Sequence, residues 1–477
     1  MGVENGKAEQ EIEASAEQGH EKPVEPENRG LVNGKRGEGD KEAAVVKITG
    51  KSRVLPAAQR LDKKECPLIT FDLPYITFYY NQKLLVYKGG EYEVAVERLK
   101  EALAAVLEHF YPLAGKLGKD EEGVLTIECD GESLLGAEVL EAAAENVEVA
   151  ELAGSNAPSF LQELVPYSGI MNLEGLHCPL LSVQFTKLKN GLAIGCAFNH
   201  AVLDGYSTWH FMGAWAELCR GSSVISLEPF HDRALARSAR VKLTLPESAA
   251  AHEKADPAGT PKPLREKIFT FSEKAVEKLK AEANAGLPDG TKPLSTFQSL
   301  GDHLWRAVCR ARRLKPEDIT VFAIFIDCRK RVDPPMPEGY FGNMVQAIFN
   351  ATAAGLLLAS PPVYGANLLQ QAIDVHDAKA IDGRLKEYEA APKMFYFRDA
   401  GINCVAVGSS PRFPVYDVDF GFGKPERVRS GSNNRFDGMV YLYAGRDGGR
   451  SIDAEISLDG DAMENLEKDE EFLTVCV

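Results

Sequence analysis

The chain lacks the features that would place it in a membrane, in a secretory compartment or on a nucleic acid. It has no apolar run of membrane-spanning length, and no basic segment followed by an apolar one at its amino terminus. Its 9 cysteines form no Cys-x-x-Cys pair and are odd in number, which favours reduced thiols over a zinc site or a disulfide framework. A net charge of -16 gives no general attraction to phosphate backbones or anionic lipids. We therefore expect a cytosolic protein with no metal, no nucleic-acid partner and no transmembrane segment.

Residues 1–45 contain little that can fold. Glu, Gly, Lys and Asn dominate them, and hardly any large apolar side chain offsets the entropy of ordering. We expect an acidic disordered tail, followed by a first strand at Val45–Thr49. Gly2 is suited to myristoylation, but Gly6 stands where Ser or Thr is required, so no lipid anchor is expected there.

Near its middle, the chain contains a short apolar run that ends at a histidine. Ala193–Phe198 is rich in small and apolar residues, which predicts a buried strand that presents His200 at its end. The apolar spacing over Trp209–Cys219 predicts a helix after the turn. An imidazole titrates near neutrality and can accept a proton from an attacking hydroxyl group, so His200 is a candidate general base. Asp204 either orients that imidazole or holds the loop through a basic partner, although a core histidine beside a turn aspartate would have the same spacing.

A second motif, Asp419-Phe420-Gly421-Phe422-Gly423-Lys424-Pro425, lies near the carboxyl end. A protein-kinase interpretation of its first three residues fails, because no His-Arg-Asp loop and no glycine-rich nucleotide loop precede it. Instead, a His-x-x-x-Asp-Gly segment followed by this motif resembles the plant BAHD acyltransferase family. Other segments resemble the family in register, namely Phe110–Leu117, Phe297–Arg306, Pro334–Asn343 and Asp469–Phe472.

The resemblance covers about residues 46–477 and extends to one group within the family. Cys66–Tyr75, followed by Phe78–Asn81, looks most like the cuticle-forming group named for defective cuticular ridges. The fold implied by the resemblance is α/β, with two chloramphenicol-acetyltransferase-like domains that contain mixed sheets.

The domain boundary is predicted from a change in composition. From about residue 221 to residue 263 the sequence loses periodicity and gains Pro, Ala, Glu and Ser, as in a linker or a surface crossover. We therefore expect an amino-terminal domain over 46–220, a crossover over 221–263 and a carboxyl-terminal domain over 264–477. Apolar periodicity also predicts helices over Glu93–Phe110 and Glu273–Ala283, and strands over Leu180–Leu188, Lys267–Phe271, Ile319–Asp327, Met439–Tyr443 and Ile452–Leu458. The Leu180–Leu188 strand should pair with the His200 strand through the turn at Asn190-Gly191.

The resemblance assigns a role to each motif. It implies that His200 deprotonates a hydroxyl group or an amine, which then attacks the thioester carbonyl of acyl-coenzyme A. It also implies that Asp204 turns away from His200 and pairs with an arginine, for which Arg329 is the candidate.

The carboxyl-terminal motif, through Asp419, Gly421 and Gly423, is expected to fix the second domain, away from the reacting atoms. Most family members carry tryptophan where Phe422 stands, so the indole N–H donor is absent from this chain.

Four further residues are candidate substrate contacts by the same resemblance. Ser272, Ser295 and Thr296 lie where the family tends to contact coenzyme A. Helix capping would explain the two serines equally well, and a strand or turn position would explain Thr296. Arg412 stands where related hydroxycinnamoyl transferases hold a carboxylated acceptor. It follows Pro411 instead of the usual tryptophan, and its alternative is a surface or interdomain arginine.

The leading hypothesis is an acyl-coenzyme A-dependent O-acyltransferase that acts on an alcohol in cuticle or cutin polyester formation. One alternative is hydroxycinnamoyl transfer to shikimate or to another small alcohol or amine. A different class of function is a non-catalytic family member that binds acyl-coenzyme A or a partner, against which the intact His200, Asp204 and Gly205 argue. We expect acyl-coenzyme A as co-substrate, a small hydroxylated acceptor, no permanently bound cofactor and a monomeric protein.

Overall fold

The computed structural model describes residues 45–58, 66–246, 248, 263–395 and 403–476. The predicted tail before residue 45 and most of residues 247–262 of the predicted crossover lie outside the described residues. The strands are β1 (Lys47–Val54), β2 (Cys66–Pro67), β3 (Asn81–Lys88), β4 (Lys116–Lys119), β5 (Leu125–Glu128), β6 (Ala137–Ala144), β7 (Leu181–Leu188), β8 (Gly191–Phe198), β9 (Leu264–Phe271), β10 (Ile319–Asp327), β11 (Val345–Ala353), β12 (Cys404–Val407), β13 (Arg427–Ser430), β14 (Met439–Ala444) and β15 (Ile452–Asp459).

The helices in the same part of the chain vary widely in length. They are α1 (Tyr92–His109), α2 (Val149–Ala153), α3 (Gly205–Cys219), α4 (Arg233–Ala236), α5 (Glu273–Asn284), α6 (Thr296–Ala311), α7 (Ala354–Ala359), α8 (Pro362–Asp374), α9 (Ala378–Ala390), α10 (Gly460–Leu466) and α11 (Glu470–Leu473). None of these described helices is long and apolar enough to cross a membrane.

Two six-stranded sheets form the centre of the structure. The first has the strand order β1-β6-β7-β8-β3-β13, and the second has the order β11-β10-β12-β14-β15-β9. Both sheets are mixed, because β6 runs parallel to β7 in the first and β12 runs parallel to β10 and β14 in the second. A smaller sheet contains β2, β5 and β4. This mixed α/β architecture confirms the predicted fold class.

Helices cover each large sheet through their apolar faces. On α1, the apolar residues at three- and four-residue spacing, such as Leu99, Leu103 and Val106, are fully buried in one core cluster with α3 and the first sheet. The indole N–H of Trp215 on α3 donates to the backbone oxygen of Leu99 at 3.0 Å, which ties α3 to α1. A second cluster joins α5, α6 and α10 to the second sheet. The first sheet, which leads to the histidine motif, therefore packs against the paired helices α1 and α3.

The chain crosses between the two sheets after the predicted linker. β13 comes from the carboxyl-terminal half, yet it pairs with β3 at the edge of the first sheet, with Arg427 opposite Val86. The predicted boundaries at residues 220 and 264 stay a prediction, and β13 shows that the sheets do not divide strictly along them.

The predicted pairing of the Leu180–Leu188 strand with the strand that leads to His200 is confirmed, but the turn lies at Lys189-Asn190 and not at Asn190-Gly191, because Gly191 already belongs to β8. β7 and β8 pair antiparallel, from Leu181 opposite Phe198 to Leu188 opposite Gly191. The predicted helix start at Trp209 is wrong, because α3 begins at Gly205. The Asp204 carboxylate accepts a hydrogen bond from the Ser207 N–H at 3.0 Å and so caps the helix one turn earlier. The turn between strand and helix is correspondingly short.

Candidate active site

His200 is held by its backbone and leaves its ring available. Its N–H donates to the side-chain oxygen of Asn172 at 2.8 Å, and its carbonyl accepts from the side-chain amide of Asn343 at 2.8 Å. The imidazole stacks on the Tyr75 ring, with centroids 4.5 Å apart and planes 5° from parallel. Its Nδ1 atom is buried and has no hydrogen-bond partner among the described residues, although the residue as a whole is partly exposed. The ring is therefore positioned by stacking.

The surroundings of His200 favour its neutral form. Burial lowers its pKa below the ordinary 6.5, and the ammonium group of Lys83 lowers it further. The Asp204 carboxylate and the Asn343 side chain act in the opposite direction, and burial outweighs them. At neutral pH the imidazole consequently has a free lone pair, which is the state that a general base requires.

Asp204 points away from that imidazole into a buried ion pair with Arg329. The two side chains are 1% and 6% exposed, and the guanidinium bonds both carboxylate oxygens, at 2.8 and 3.0 Å. The N–H groups of Ser207 and Met344 also donate to the carboxylate, at 3.0 and 2.9 Å. Burial raises the pKa of Asp204, but the charge of Arg329 and these hydrogen bonds outweigh it and hold that pKa below 3.8. The carboxylate is therefore ionised, and both of its oxygens accept hydrogen bonds from Arg329 and from backbone N–H groups.

Arg329 also anchors the start of α3 to a distant segment. Its Nη2 atom donates to the Ser207 hydroxyl at 3.1 Å and to the Gly342 carbonyl at 3.0 Å. Its guanidinium lies 4.6 Å from the centre of the Tyr206 ring. One arginine thus fixes both the loop of residues 199–204 and the segment around residue 342 relative to β10, which precedes it.

A second buried ion pair, which the sequence did not suggest, supports the same loop. Arg233 contacts Asp72 at 2.7 Å with both side chains almost fully buried, and it donates to the Val202 carbonyl at 2.5 Å. Asp72 in turn accepts from the side-chain amide of Asn343 at 3.0 Å. The same Asn343 amide group also holds His200, so the two contacts are coupled.

Asn199 completes the support from within the loop. Its side-chain amide donates to the Asn172 carbonyl at 2.8 Å, and its oxygen accepts from the Ala201 N–H at 3.1 Å. Asn172, Asn343, Asp72 and Arg233 are thus site residues that the motif search did not identify. Only weak signals in the sequence pointed to them: Asp72 and Asn343 lie in segments that resemble the family, and Arg233 lies in the predicted crossover. Asn172 had no signal.

The motif at Asp419 forms a tight turn at the far end of α3. The Asp419 carboxylate accepts from the N–H groups of Gly421 and Gly423 at 2.7 and 2.9 Å. Both glycines have a positive φ, of 95° and 100°, which disfavours any side chain there. The Asp419 carbonyl accepts from Arg220, which directly follows α3, and the 15 residues of α3 span about 22 Å from the Asp204 end. The turn therefore lies well away from His200.

The three hydroxyl residues expected near coenzyme A lie at two helix starts. Ser272 caps α5 and accepts from the Ala275 N–H at 3.3 Å, whereas Ser295 caps α6 through a reciprocal capping box with Gln298. The strand or turn position offered as the alternative for Thr296 is wrong, because Thr296 is the first residue of α6. Its hydroxyl forms no hydrogen bond within the part of the chain that the structure describes.

Arg412 lies in an exposed loop that approaches the start of α3. The side chain next to it, Phe413, would come within 3.1 Å of a Cβ atom built on Gly205. Arg412 itself is exposed. Its loop thus lies near the residues around Asp204, but its guanidinium makes no contact with them in the described part of the chain. Among the described residues, no group of three or more His, Cys, Asp or Glu side chains is arranged to hold a metal ion.

Comparison with known proteins places this site in a family. A model of the Transferase family matches residues 44–473. The chain is 57% identical, over 446 residues, to the BAHD acyltransferase DCR of Arabidopsis thaliana, which covers 90% of this chain and 92% of that protein. The chain belongs to the BAHD acyltransferase family. It is therefore an acyltransferase, as the two motifs had indicated.

Two further similarities are weaker in sequence but cover nearly the whole chain. Hydroxycinnamoyltransferase 2 of Oryza sativa subsp. japonica is 31% identical over 451 residues, 89% of this chain and 98% of that protein. The crystal structure of F. graminearum TRI101 with coenzyme A and deoxynivalenol has a TM-score of 0.70 and 21% identity, with 87% of this chain and 99% of that chain covered. The second similarity shows that this BAHD protein shares its fold with that solved structure.

Phe422 departs from the usual BAHD motif and makes aromatic contacts of its own. Its ring meets the Tyr87 ring edge-on, with centroids 4.9 Å apart, and the Arg98 guanidinium lies 6.0 Å from its centre. Arg98 also donates to the Phe420 carbonyl at 3.1 Å. Aromatic packing is thus retained here without an indole N–H.

Proposed function

We propose that this BAHD acyltransferase moves an acyl group from a coenzyme A thioester to a hydroxyl group, with His200 as general base. The observation that carries the proposal is a partly exposed imidazole just after β8, fixed by Tyr75 and by backbone hydrogen bonds. Burial lowers its pKa and so favours the neutral form. His200 would take the proton of the acceptor hydroxyl as its oxygen attacks the thioester carbonyl. The carbon–sulfur bond then breaks, and the proton passes from His200 to the sulfur. The products are an ester and free coenzyme A.

In this mechanism the other motif residues act by holding the loop. Asp204 is bound on both oxygens by Arg329, so its role is to fix the turn between β8 and α3. Asp419, Gly421 and Gly423 form a turn beyond the other end of α3, and the backbone of this turn accepts hydrogen bonds from α1 and from the residue that follows α3, which joins the two halves of the chain. Much of the rate would come from positioning and from excluding water, which otherwise hydrolyses the thioester.

The donor site that best fits these residues is at the start of α6. Helix N-termini favour phosphate groups, and the Thr296 hydroxyl lies in the first turn of this 16-residue helix. The Ser272 and Ser295 hydroxyls already accept capping hydrogen bonds, so each would contact the coenzyme A phosphates by donating its own proton. We also propose that the chain divides into an amino-terminal and a carboxyl-terminal domain with the crossover between them.

The acceptor proposed first is an alcohol of cuticle polyester formation, on the basis of the resemblance to the cuticle-forming group. A hydroxycinnamoyl transfer to shikimate or another small alcohol or amine is the alternative, favoured by the exposed Arg412 in a loop beside Gly205. We further propose that the protein is cytosolic and monomeric. A binding protein without catalysis is the remaining alternative.

The experiment is free-thiol release from a panel of acyl-coenzyme A donors, aromatic and long-chain hydroxyacyl, with shikimate or glycerol-type acceptors. Acceptor-dependent release should fall by roughly 10²- to 10⁴-fold in His200→Ala, since that is the usual contribution of a general base. The matched control is His177→Ala, which removes a histidine outside the site. If acyl-coenzyme A binds but no donor and acceptor pair reacts, the binding-protein alternative is preferred.

A further inference from the structure

A buried lysine near His200 has no part in the mechanism above. Lys83 lies on β3 and is only 3% exposed. β3 pairs with β8 so that Asn81 is opposite Phe198, two residues before His200. The Lys83 ammonium donates to the side-chain oxygen of Asn81 at 2.8 Å, so the side chain turns back along β3 towards the His200 end of the sheet. Its charge consequently acts on the site.

The two large sheets meet beside Lys83 in a cluster of buried charges. Three carboxylates and three arginines pair with one another in this cluster. The pairs are Arg427–Asp453 at 3.0 Å, Arg429–Glu455 at 3.5 Å, Arg435–Glu455 at 3.0 Å and Arg435–Glu266 at 3.2 Å. These six groups balance to zero net charge when all are ionised.

When protonated, Lys83 adds a positive charge to this balanced set. Its Nζ atom donates to the Gln82 carbonyl at 3.0 Å and lies 5.7 Å from the centre of the Tyr441 ring, so its protein partners are neutral. In the described ranges it forms no ion pair. Burial lowers the pKa of Lys83 to about 7; the charge of Arg435 also lowers it, and the charge of Glu455 raises it by less than burial lowers it. A buried cation without a counter-ion is unfavourable, and such groups concentrate at functional sites.

We propose that Lys83 binds a carboxylate of the substrate and so makes the enzyme prefer an acyl donor or acceptor that carries one. This inference rests on the proposed function, because it names the substrate class of the same site. An ammonium has three N–H donors, and Asn81 and Gln82 accept two of them, which leaves one for a substrate oxygen. A single carboxylate also matches the one unbalanced charge, whereas the phosphates of coenzyme A carry several.

The first test compares matched acidic and neutral substrates in the full-length enzyme. The acceptor arm uses ω-hydroxypalmitic acid and its methyl ester, and the donor arm uses ω-carboxyacyl- and plain acyl-coenzyme A. Wild type should prefer the acidic member of one pair, and that pair identifies which substrate supplies the carboxylate. In Lys83→Met, the ratio of kcat/KM for the acidic member to kcat/KM for the neutral member should fall by roughly tenfold to a hundredfold, as expected for a lost charged hydrogen bond. The neutral member corrects for the effect of the Lys83 charge on the pKa of His200.

The matched control is Lys88→Met, which removes an exposed lysine from the same strand. Lys83→Gln serves as a second variant if the methionine variant does not fold. The proposal is overturned if wild type shows no preference in either pair. It is also overturned if both Lys83 variants lower kcat/KM equally for the acidic and the neutral members. A rise in KM for every coenzyme A donor alike would also overturn it, because the anion would then be a phosphate.

A binding measurement separates this inference from the proposed reaction. Calorimetry on His200→Ala should show tighter binding of the acidic than of the neutral member in the acceptor pair or in the donor pair, and the difference should vanish in His200→Ala/Lys83→Met. If that difference is present while no pair gives thiol release, the carboxylate site stands and the acyl-transfer proposal fails. If thiol release occurs and neither assay shows a preference that depends on Lys83, the acyl-transfer proposal stands and the carboxylate site fails.

Discussion

Replacing Asp204 by asparagine tests whether this residue acts through architecture or on His200 directly. The substitution keeps the shape and removes the charge, so the Arg329 guanidinium, with its side chain 6% exposed, is left with Asp327, whose side chain is 50% exposed. Asparagine also has one oxygen where the carboxylate has two. The Ser207 and Met344 N–H groups donate to different oxygens, so one of them would face an amide donor. Breaking a buried pair from one side costs about 3–5 kcal/mol, a large part of the usual stability of a domain.

The assay is urea unfolding followed by circular dichroism, together with thiol release over a range of pH. Because the pKa of Asp204 is held below 3.8, its contribution is complete above that pH and is lost as the pH falls through the folded-state pKa. The difference between wild type and variant should therefore shrink in acid. Asp374→Asn, which breaks the exposed pair with Lys292, should leave stability nearly unchanged. A variant as stable as wild type, with a shifted pH–rate profile, would refute the architectural role.

Three further predictions concern the same loop and turn. Asn343→Ala removes the hydrogen bonds to the His200 carbonyl and to Asp72, so it should lower stability by about 1–3 kcal/mol and lower kcat, whereas Asn350→Ala on the neighbouring strand should preserve kcat. With a neutral acceptor, the rate should rise with pH through the lowered pKa of His200 and then level off; a rate that falls through neutrality would contradict a neutral base. Gly423→Ala forces a side chain into φ 100° and should lower stability by about 1–2 kcal/mol, while Gly460→Ala, where φ is not positive, should be tolerated.

Local patterns in the sequence predicted the elements whose faces differ clearly in polarity. β9, β10, β14, β15, α1 and α5 lie within a few residues of their predicted bounds, since apolar periodicity depends only on near neighbours in the chain. The resemblance then supplied the family and the partner of Asp204. β3, β6, β11 and β13 were not predicted, because β3 is buried on both faces along most of its length and the other three lack strict alternation.

The sequence by itself thus determined the strand, the histidine, the turn and the helix, because these lie within one stretch of some 30 residues. Only the tertiary structure brought Asn172, Asn343, Asp72 and Arg233 around that turn, across as many as 271 positions in the chain. It alone placed Lys83 beside the ion pairs where the two large sheets meet. Hydrogen bonds and charges act through space, and the packing of the two sheets decides which distant side chains come within their range.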